Sequence, residues 1–149
     1  MILPRIITAI VGIPVVVFLI YSGGFVYFIF ITFIILMCLY EYYMMMKLSF
    51  KPVDLFSIFL CGLLIPVSFY LNYNLERFFN FVSMIISFSV ILPFLIELFR
   101  KEKYLERVSY TVVAIFLISY NLSYLILLRN MVDGAKIVLL IFVSIWIGD

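Results

Sequence analysis

The residues of this chain that could take part in chemistry are carboxylates within or at the ends of apolar segments. Asp149 follows Ile147 and Gly148 at the end of an uncharged run, and Glu41 stands among tyrosines. A carboxylate in apolar surroundings is costly to desolvate, which by default suggests an ion or substrate site. Asp149 is therefore a candidate catalytic and metal-binding residue. The alternative is that its helix simply ends in the lipid headgroup region.

Several kinds of site are excluded by residue type. The chain has no histidine, and its two cysteines, Cys38 and Cys61, lie in apolar runs. This excludes zinc sites of the Cys/His type, a haem histidine and any triad that uses histidine. A glycine-rich phosphate loop and a nucleophile elbow are also absent from the sequence. Carboxylates, hydroxyls, lysines and arginines must carry any chemistry.

The composition is that of an integral membrane protein. Of 149 residues, 68% are hydrophobic and 12% are charged, and the mean hydropathy is +1.32. Soluble domains are about half apolar and about one quarter charged. With 10 Lys and Arg against 8 Asp and Glu, the chain has no basic surface suited to nucleic acid. DNA and RNA binding are therefore excluded.

The spacing of charged residues predicts the helices. Uncharged runs of 21, 19 and 21 residues follow Asp54, Arg77 and Arg107, and each matches one membrane-spanning helix. The run of 35 residues after Arg5 would make a helix of about 52 Å, so it must fold as a hairpin that turns near Gly23. The apolar runs do not alternate as strands of a membrane barrel would. The predicted fold class is all-α and polytopic, with about six helices at residues 6–21, 25–46, 55–71, 78–98, 108–128 and 137–149.

The distribution of cations predicts the orientation. With a cytoplasmic N-terminus, seven lysines and arginines lie inside and three lie outside, as membrane proteins prefer. We therefore expect a multi-pass protein of the cell inner (cytoplasmic) membrane, and we interpret the first apolar segment as a retained helix rather than a secretory signal. In this orientation Glu41, Glu97 and Asp149 all lie near cytoplasmic helix ends.

Glu41 and Glu97 are given mainly structural interpretations. For Glu41 the first hypothesis is an ion pair with Arg5, the second an interfacial position among tyrosines, and the third catalysis. Glu97 is followed closely by Arg100, and we expect it to be a solvated charge at a helix end. The mixed charges of residues 100–107 are expected to anchor the topology.

Hydroxyl-bearing residues and prolines inside the helices lead to two packing expectations. Ser83 and Ser87 share one helix face and are expected to form hydrogen bonds between helices. Pro14, Pro66 and Pro93 are expected to kink or break their helices. Neither feature identifies a reaction.

The last predicted helix has 13 residues, or about 20 Å, which is too short to cross a bilayer. We therefore expect residues 1–149 to be the N-terminal membrane portion of a longer polytopic enzyme.

Four motifs in order resemble the N-terminal region of bacterial phosphatidate cytidylyltransferases, also called CDP-diacylglycerol synthases. That family has an Arg-x-x-Thr-Ala opening, a hairpin turned at Gly-Gly, an aromatic-Glu-aromatic helix end and a later helix that ends in Trp-x-x-Asp. Its most diagnostic C-terminal motif would lie beyond Asp149. The matching segments are RIITA at residues 5–9, Gly23-Gly24, YEYY at residues 40–43 and IWIGD at residues 145–149.

The resemblance implies transfer of CMP from CTP to phosphatidic acid, which gives CDP-diacylglycerol and pyrophosphate with the help of Mg2+. It implies that Asp149 holds or orients the metal, and that Arg5 and Glu41 are structural polar residues. CTP, phosphatidic acid and the lipid bilayer are the expected partners, and a homodimer is compatible with these expectations. We expect the fragment to be inactive alone. Two alternatives stay open: a CTP-dependent polyprenol or phytol kinase-like enzyme, and a fragment of a membrane transporter or scaffold.

Overall fold

The computed structural model shows a bundle of helices. It describes residues 3–74 and 81–148, with side chains for residues 12–72 and 81–148, and these residues contain no strand. The prediction of an all-α fold is confirmed. The six helices are α1 (Leu3–Ser22), α2 (Gly24–Leu48), α3 (Leu55–Asn74), α4 (Phe81–Leu98), α5 (Leu105–Arg129) and α6 (Gly134–Gly148).

Among the residues whose side chains are described, four helices are long and apolar enough to cross a membrane. They comprise Gly24–Leu48, Leu55–Asn72, Phe81–Leu98 and Leu105–Arg129, each with 18 to 25 residues. At about 1.5 Å per residue they extend roughly 27 to 38 Å, which matches a hydrocarbon core of about 30 Å. The described ends of all six helices lie within three residues of the predicted ends. The predicted start of α4 at residue 78 and the predicted end of α6 at residue 149 lie outside the described residues.

The core forms where α2 packs on α3. Tyr27, Ile31, Ile35 and Leu39 are buried on α2, and their four-residue spacing places them on one helix face. This face packs against buried Ile58 of α3 in a single apolar cluster. The helix α3 also contacts α4 and α5, whereas α1 packs on α2 and α6. Thus α3 lies at the centre of the bundle.

The turn between α1 and α2 confirms the predicted hairpin. Gly23 and Gly24 have φ values of 61° and 53°, a region that glycine adopts without the strain a side chain would add. Arg129 of α5 donates hydrogen bonds to the carbonyl oxygens of Ile20 and Tyr21. A cation at this position is favoured because the last carbonyls of a helix carry partial negative charge. The hairpin is therefore attached to α5 by a charged side chain.

One segment of α5 departs from α-helical geometry. Residues Ile115–Tyr120 form a π-helix, between α-helical stretches at Leu105–Ala114 and Asn121–Arg129. Within this segment the buried hydroxyl of Ser119 has no hydrogen-bond partner among the described residues. It lies near Gly62 of α3, where an added Cβ would be 3.4 Å from the Ser119 hydroxyl oxygen and would collide with Leu39. The glycine allows α2, α3 and α5 to approach closely.

The structure bears on two expectations about side chains inside the helices. Ser87 donates its hydroxyl to the carbonyl of Ser83 at 3.0 Å within α4, and both residues are exposed. The expected hydrogen bond between helices is therefore wrong for Ser87, because the backbone carbonyl of Ser83, four residues earlier, is a nearer acceptor. Pro14, Pro66 and Pro93 lie inside helices that continue through them, so none of the three breaks its helix.

The bundle has two ends of different character. At the basic end, α2 and α4 finish and α3 and α5 begin, and the connecting residues are 49–54 and 99–104. At the hairpin end lie the Gly23-Gly24 turn and the connection formed by residues 130–133. The bias of lysine and arginine toward the basic end predicts that this end faces the cytoplasm.

Single cysteines test this orientation. In a background with Cys38→Ser and Cys61→Ala, we expect Val132→Cys to react with a membrane-impermeant thiol reagent added outside intact cells. Val132 is 91% exposed at the hairpin end. A cysteine at Ser49, which is exposed at the basic end, should react only after the cells are permeabilised. Labelling of Ser49→Cys in intact cells would reverse the orientation.

Candidate functional site

Two buried carboxylates lie at the basic end of the bundle. Asp54, just before α3, is 4% exposed, and Glu97, in the last turn of α4, is 8% exposed. Both are surrounded by polar groups from the ends of α3, α4 and α5. A buried carboxylate is tolerated only if charges and hydrogen bonds compensate for lost hydration. The charges and hydrogen-bond donors that surround Asp54 and Glu97 therefore show what role the two carboxylates have.

Asp54 joins three parts of the chain. Its Oδ2 accepts hydrogen bonds from the backbone N–H of Ser57 at 2.9 Å and from the Ser57 hydroxyl at 2.5 Å, which is the geometry of a helix N-cap. Its Oδ1 forms an ion pair with Arg100 in the connection between α4 and α5. Its backbone N–H donates to Thr111 Oγ1 of α5 at 3.0 Å. Asp54 thus fixes the start of α3 against both α5 and the 99–104 connection.

Glu97 pairs with Arg107 rather than with solvent. Nη1 of Arg107 lies 3.1 Å from each carboxylate oxygen of Glu97. The backbone N–H of Tyr104 donates to Glu97 Oε1 at 2.7 Å, and the Arg107 guanidinium lies 5.2 Å from the centre of the Tyr104 ring. The prediction of a solvated Glu97 beside Arg100 is wrong, because the turn after α4 returns Arg107 to the carboxylate. The Glu97–Arg107 ion pair therefore holds the end of α4 against the start of α5.

Thr111 connects the two ion pairs. Its side-chain oxygen accepts from the Asp54 N–H and donates to the backbone carbonyl of Arg107 at 2.7 Å. Thr111 is fully buried. We call Asp54, Ser57, Glu97, Arg100, Arg107 and Thr111 the polar network.

The described residues by themselves do not form a Mg2+ site. Both carboxylates of the polar network already have an arginine partner, and Mg2+ needs carboxylate oxygens that are free to face it. No group of three or more Asp, Glu, His or Cys residues comes together in the described part of the chain. The polar network therefore serves to position arginine side chains and helix ends.

Cations at the basic end remain open to an anionic ligand. The side chain of Arg100 is 39% exposed although it pairs with Asp54, and Lys51, Lys101 and Lys103 are exposed. The Lys51 ammonium also lies 5.1 Å from the centre of the Tyr110 ring. If the basic end faces the cytoplasm, these groups would raise the local concentration of anions there.

The residues predicted from the sequence as site residues are only partly within the described structure. Asp149 and the side chain of Arg5 lie outside the described residues, so the metal role and the Arg5–Glu41 pair stay predictions. Glu41 is exposed on α2 near the basic end. On α6, close to Asp149 in the sequence, the ring centres of Phe142 and Trp146 lie 6.0 Å apart.

Sequence reasoning missed Asp54 and Thr111. A signal for Asp54 was present, because an Asp directly before an apolar run, two residues after Pro52, is typical of a helix N-cap. No pattern in the sequence indicated Thr111, since a threonine inside an apolar helix carries no signal that points to its partner.

Breaking the buried pair should destabilise the protein far more than breaking an exposed one. Arg107→Gln leaves Glu97 buried without its counter-charge, so we expect a loss of about 3–5 kcal/mol. Lys136→Gln is the matched control, because Lys136 pairs with Asp133 at 2.8 Å but both side chains are largely exposed, and such pairs contribute about 0–1 kcal/mol. Thermal unfolding of the purified protein in detergent measures both. Equal unfolding temperatures would contradict the structural role of Glu97–Arg107.

The comparisons with known proteins identify a family. No curated protein and no solved structure matches the chain significantly. The model of the cytidylyltransferase family matches residues 3–149, which includes every helix and the whole polar network. The match agrees with the motif resemblance at residues 5–9, 40–43 and 145–149. The chain therefore belongs to the cytidylyltransferase family, whose members use CTP and include CDP-diacylglycerol synthase.

Proposed function

We propose that this protein transfers CMP from CTP to phosphatidic acid and so makes CDP-diacylglycerol and pyrophosphate for phospholipid synthesis. The observation that carries the proposal is the family match over residues 3–149 of a chain with four membrane-spanning candidates. A CTP-using transferase embedded in the bilayer has a lipid as its natural acceptor. The motifs shared with phosphatidate cytidylyltransferases favour phosphatidic acid as that lipid.

The proposed reaction is a phosphoryl-group substitution. A phosphate oxygen of phosphatidic acid attacks the α-phosphorus of CTP, and the bond from that phosphorus to the bridging oxygen of the β-phosphate breaks. Pyrophosphate leaves with the bonding electrons. Both substrates are polyanions, so the barrier depends on cations that offset their repulsion and stabilise the leaving group.

The basic end of the bundle supports this chemistry by its charge and its rigidity. Arg100, Lys101 and Lys103 lie in one connection, and Asp54 orients the Arg100 guanidinium from a buried position. A guanidinium held in this way binds phosphate with less loss of side-chain entropy than a free one. We propose that Arg100 and Lys101 receive the CTP phosphates or the phosphate of the lipid substrate at the cytoplasmic face.

We propose that Asp149 holds or orients Mg2+. When bound, the ion would neutralise phosphate oxygens of CTP. Asp149 is assigned to it because the motif match places a carboxylate there, and because Asp54 and Glu97 are engaged with arginines. Arg5 and Glu41 are proposed to stabilise the first hairpin.

The position of the radioactive phosphorus in the product distinguishes the proposed reaction from a kinase. Membranes that contain the full-length protein are given phosphatidic acid with CTP labelled at the α- or the γ-phosphate. Cytidylyl transfer puts the α label in lipid and the γ label in pyrophosphate. A CTP-dependent kinase acting on a polyprenol would put the γ label in lipid, and that result would overturn the proposal.

Asp149→Asn tests the metal assignment in the same assay. The substitution keeps the size of the side chain but removes its charge, so we expect activity to fall at least ~10–100-fold. Membrane insertion and thermal stability should hardly change, because removing a charge from the bilayer margin lowers its desolvation cost. Lys136→Gln at the hairpin end is the control and should keep full activity. Near-normal activity of a well-folded Asp149→Asn protein would reject Asp149 as the metal-binding residue.

A further inference from the structure

An open cavity of about 280 Å³ lies between the end of α4 and the start of α5. Its walls are mainly apolar and are formed by Phe94, Leu98, Leu105 and Val108. Leu98 and Leu105 are 64% and 73% exposed, so the cavity opens to the side of the bundle rather than into its core. In a membrane that α4 and α5 span, an opening at this level of the bundle would lie beside the lipid headgroups.

The polar side of the same cavity is formed by Glu97, Lys103 and Tyr104. Glu97 contributes no free negative charge, since both of its oxygens face Arg107 and one also accepts the Tyr104 N–H. Lys103 is exposed at the rim and has no ion pair among the described residues. The net charge of the groups that line the cavity is therefore positive once the Glu97–Arg107 pair is counted as neutral.

The helix start at this rim adds to the attraction for an anion. The helix α5 begins at Leu105, and among the described residues no side chain caps its first turn. The unpaired N–H groups of a first turn carry partial positive charge and bind phosphate. Glu102 and Glu106 are exposed nearby and reduce the attraction, but neither of them lines the cavity.

We propose that this cavity binds a single anionic phospholipid. One acyl chain lies against the apolar wall, and the lipid phosphate lies between the Lys103 ammonium and the first turn of α5. A lipid with a net negative headgroup is preferred over phosphatidylcholine, because the choline cation would be placed close to Lys103. The inference does not depend on the proposed reaction, since it requires only the cavity, its charge and its depth in the membrane.

Photocrosslinking of the full-length protein tests the site. A benzophenone amino acid replaces Leu98 at the cavity, or Ile147, which is 81% exposed in the last turn of α6, where the helix has no lysine or arginine. Each protein is reconstituted into vesicles that contain phosphatidylcholine and phosphatidylglycerol at a ratio of about 3:1, so that the membrane surface carries a negative potential. Mass spectrometry then compares the two lipid adducts with the bulk ratio.

We expect enrichment of the phosphatidylglycerol adduct by about fivefold at Leu98, the size of effect that one lysine at a membrane surface produces. Crosslinks from Ile147 should follow the bulk ratio. Lys103→Gln should return the Leu98 ratio to bulk, whereas Lys47→Gln, which removes an exposed cation at the same end but away from the cavity, should not. Bulk ratios at Leu98, a protein segment crosslinked there in place of lipid, or an unchanged ratio in Lys103→Gln would each overturn the proposal.

Discussion

The arrangement of this bundle depends on the need to neutralise carboxylates that are removed from water. Glu97 and Asp54 are almost fully buried, and a buried charge without a partner costs several kcal/mol. Asp54 is satisfied by Arg100 of the 99–104 connection, and Glu97 is satisfied by Arg107 in the first turn of α5. Because Asp54 precedes α3 and Glu97 ends α4, the two ion pairs require the ends of three helices to lie together. The same requirement fixes the course of the 99–104 connection.

The opposite end of the bundle is held together by another cation. There Arg129 donates to the last carbonyls of α1, which lack partners within their own helix. In an apolar medium these backbone groups must find a donor in the protein. Both ends of α5 therefore carry an arginine that joins this helix to its neighbours, while the apolar contacts of α2 and α3 fill the space between them.

The helices could be predicted from the sequence because the thickness of the membrane limits the length of an uncharged run. The charge pattern did not predict the partner of Glu97. Arg107 lies ten residues away in the sequence and approaches Glu97 only after the chain reverses direction. Arg100 is nearer in sequence but pairs with Asp54, 46 residues earlier. Thr111 and the π-helical segment at Ile115–Tyr120 also depend on contacts between helices, which periodicity and composition do not encode.

The polar network separates structural charges from charges that could act on a ligand. Asp54 and Glu97 use their oxygens to hold arginines and backbone N–H groups, so their roles are structural. In contrast, Lys101 and Lys103 extend from the same connection into solvent. The 99–104 connection is held by ion pairs and carries exposed lysines. Such a connection suits the recognition of phosphate, because binding then costs mainly side-chain entropy. The two buried carboxylates thereby order the connection that carries the exposed cations.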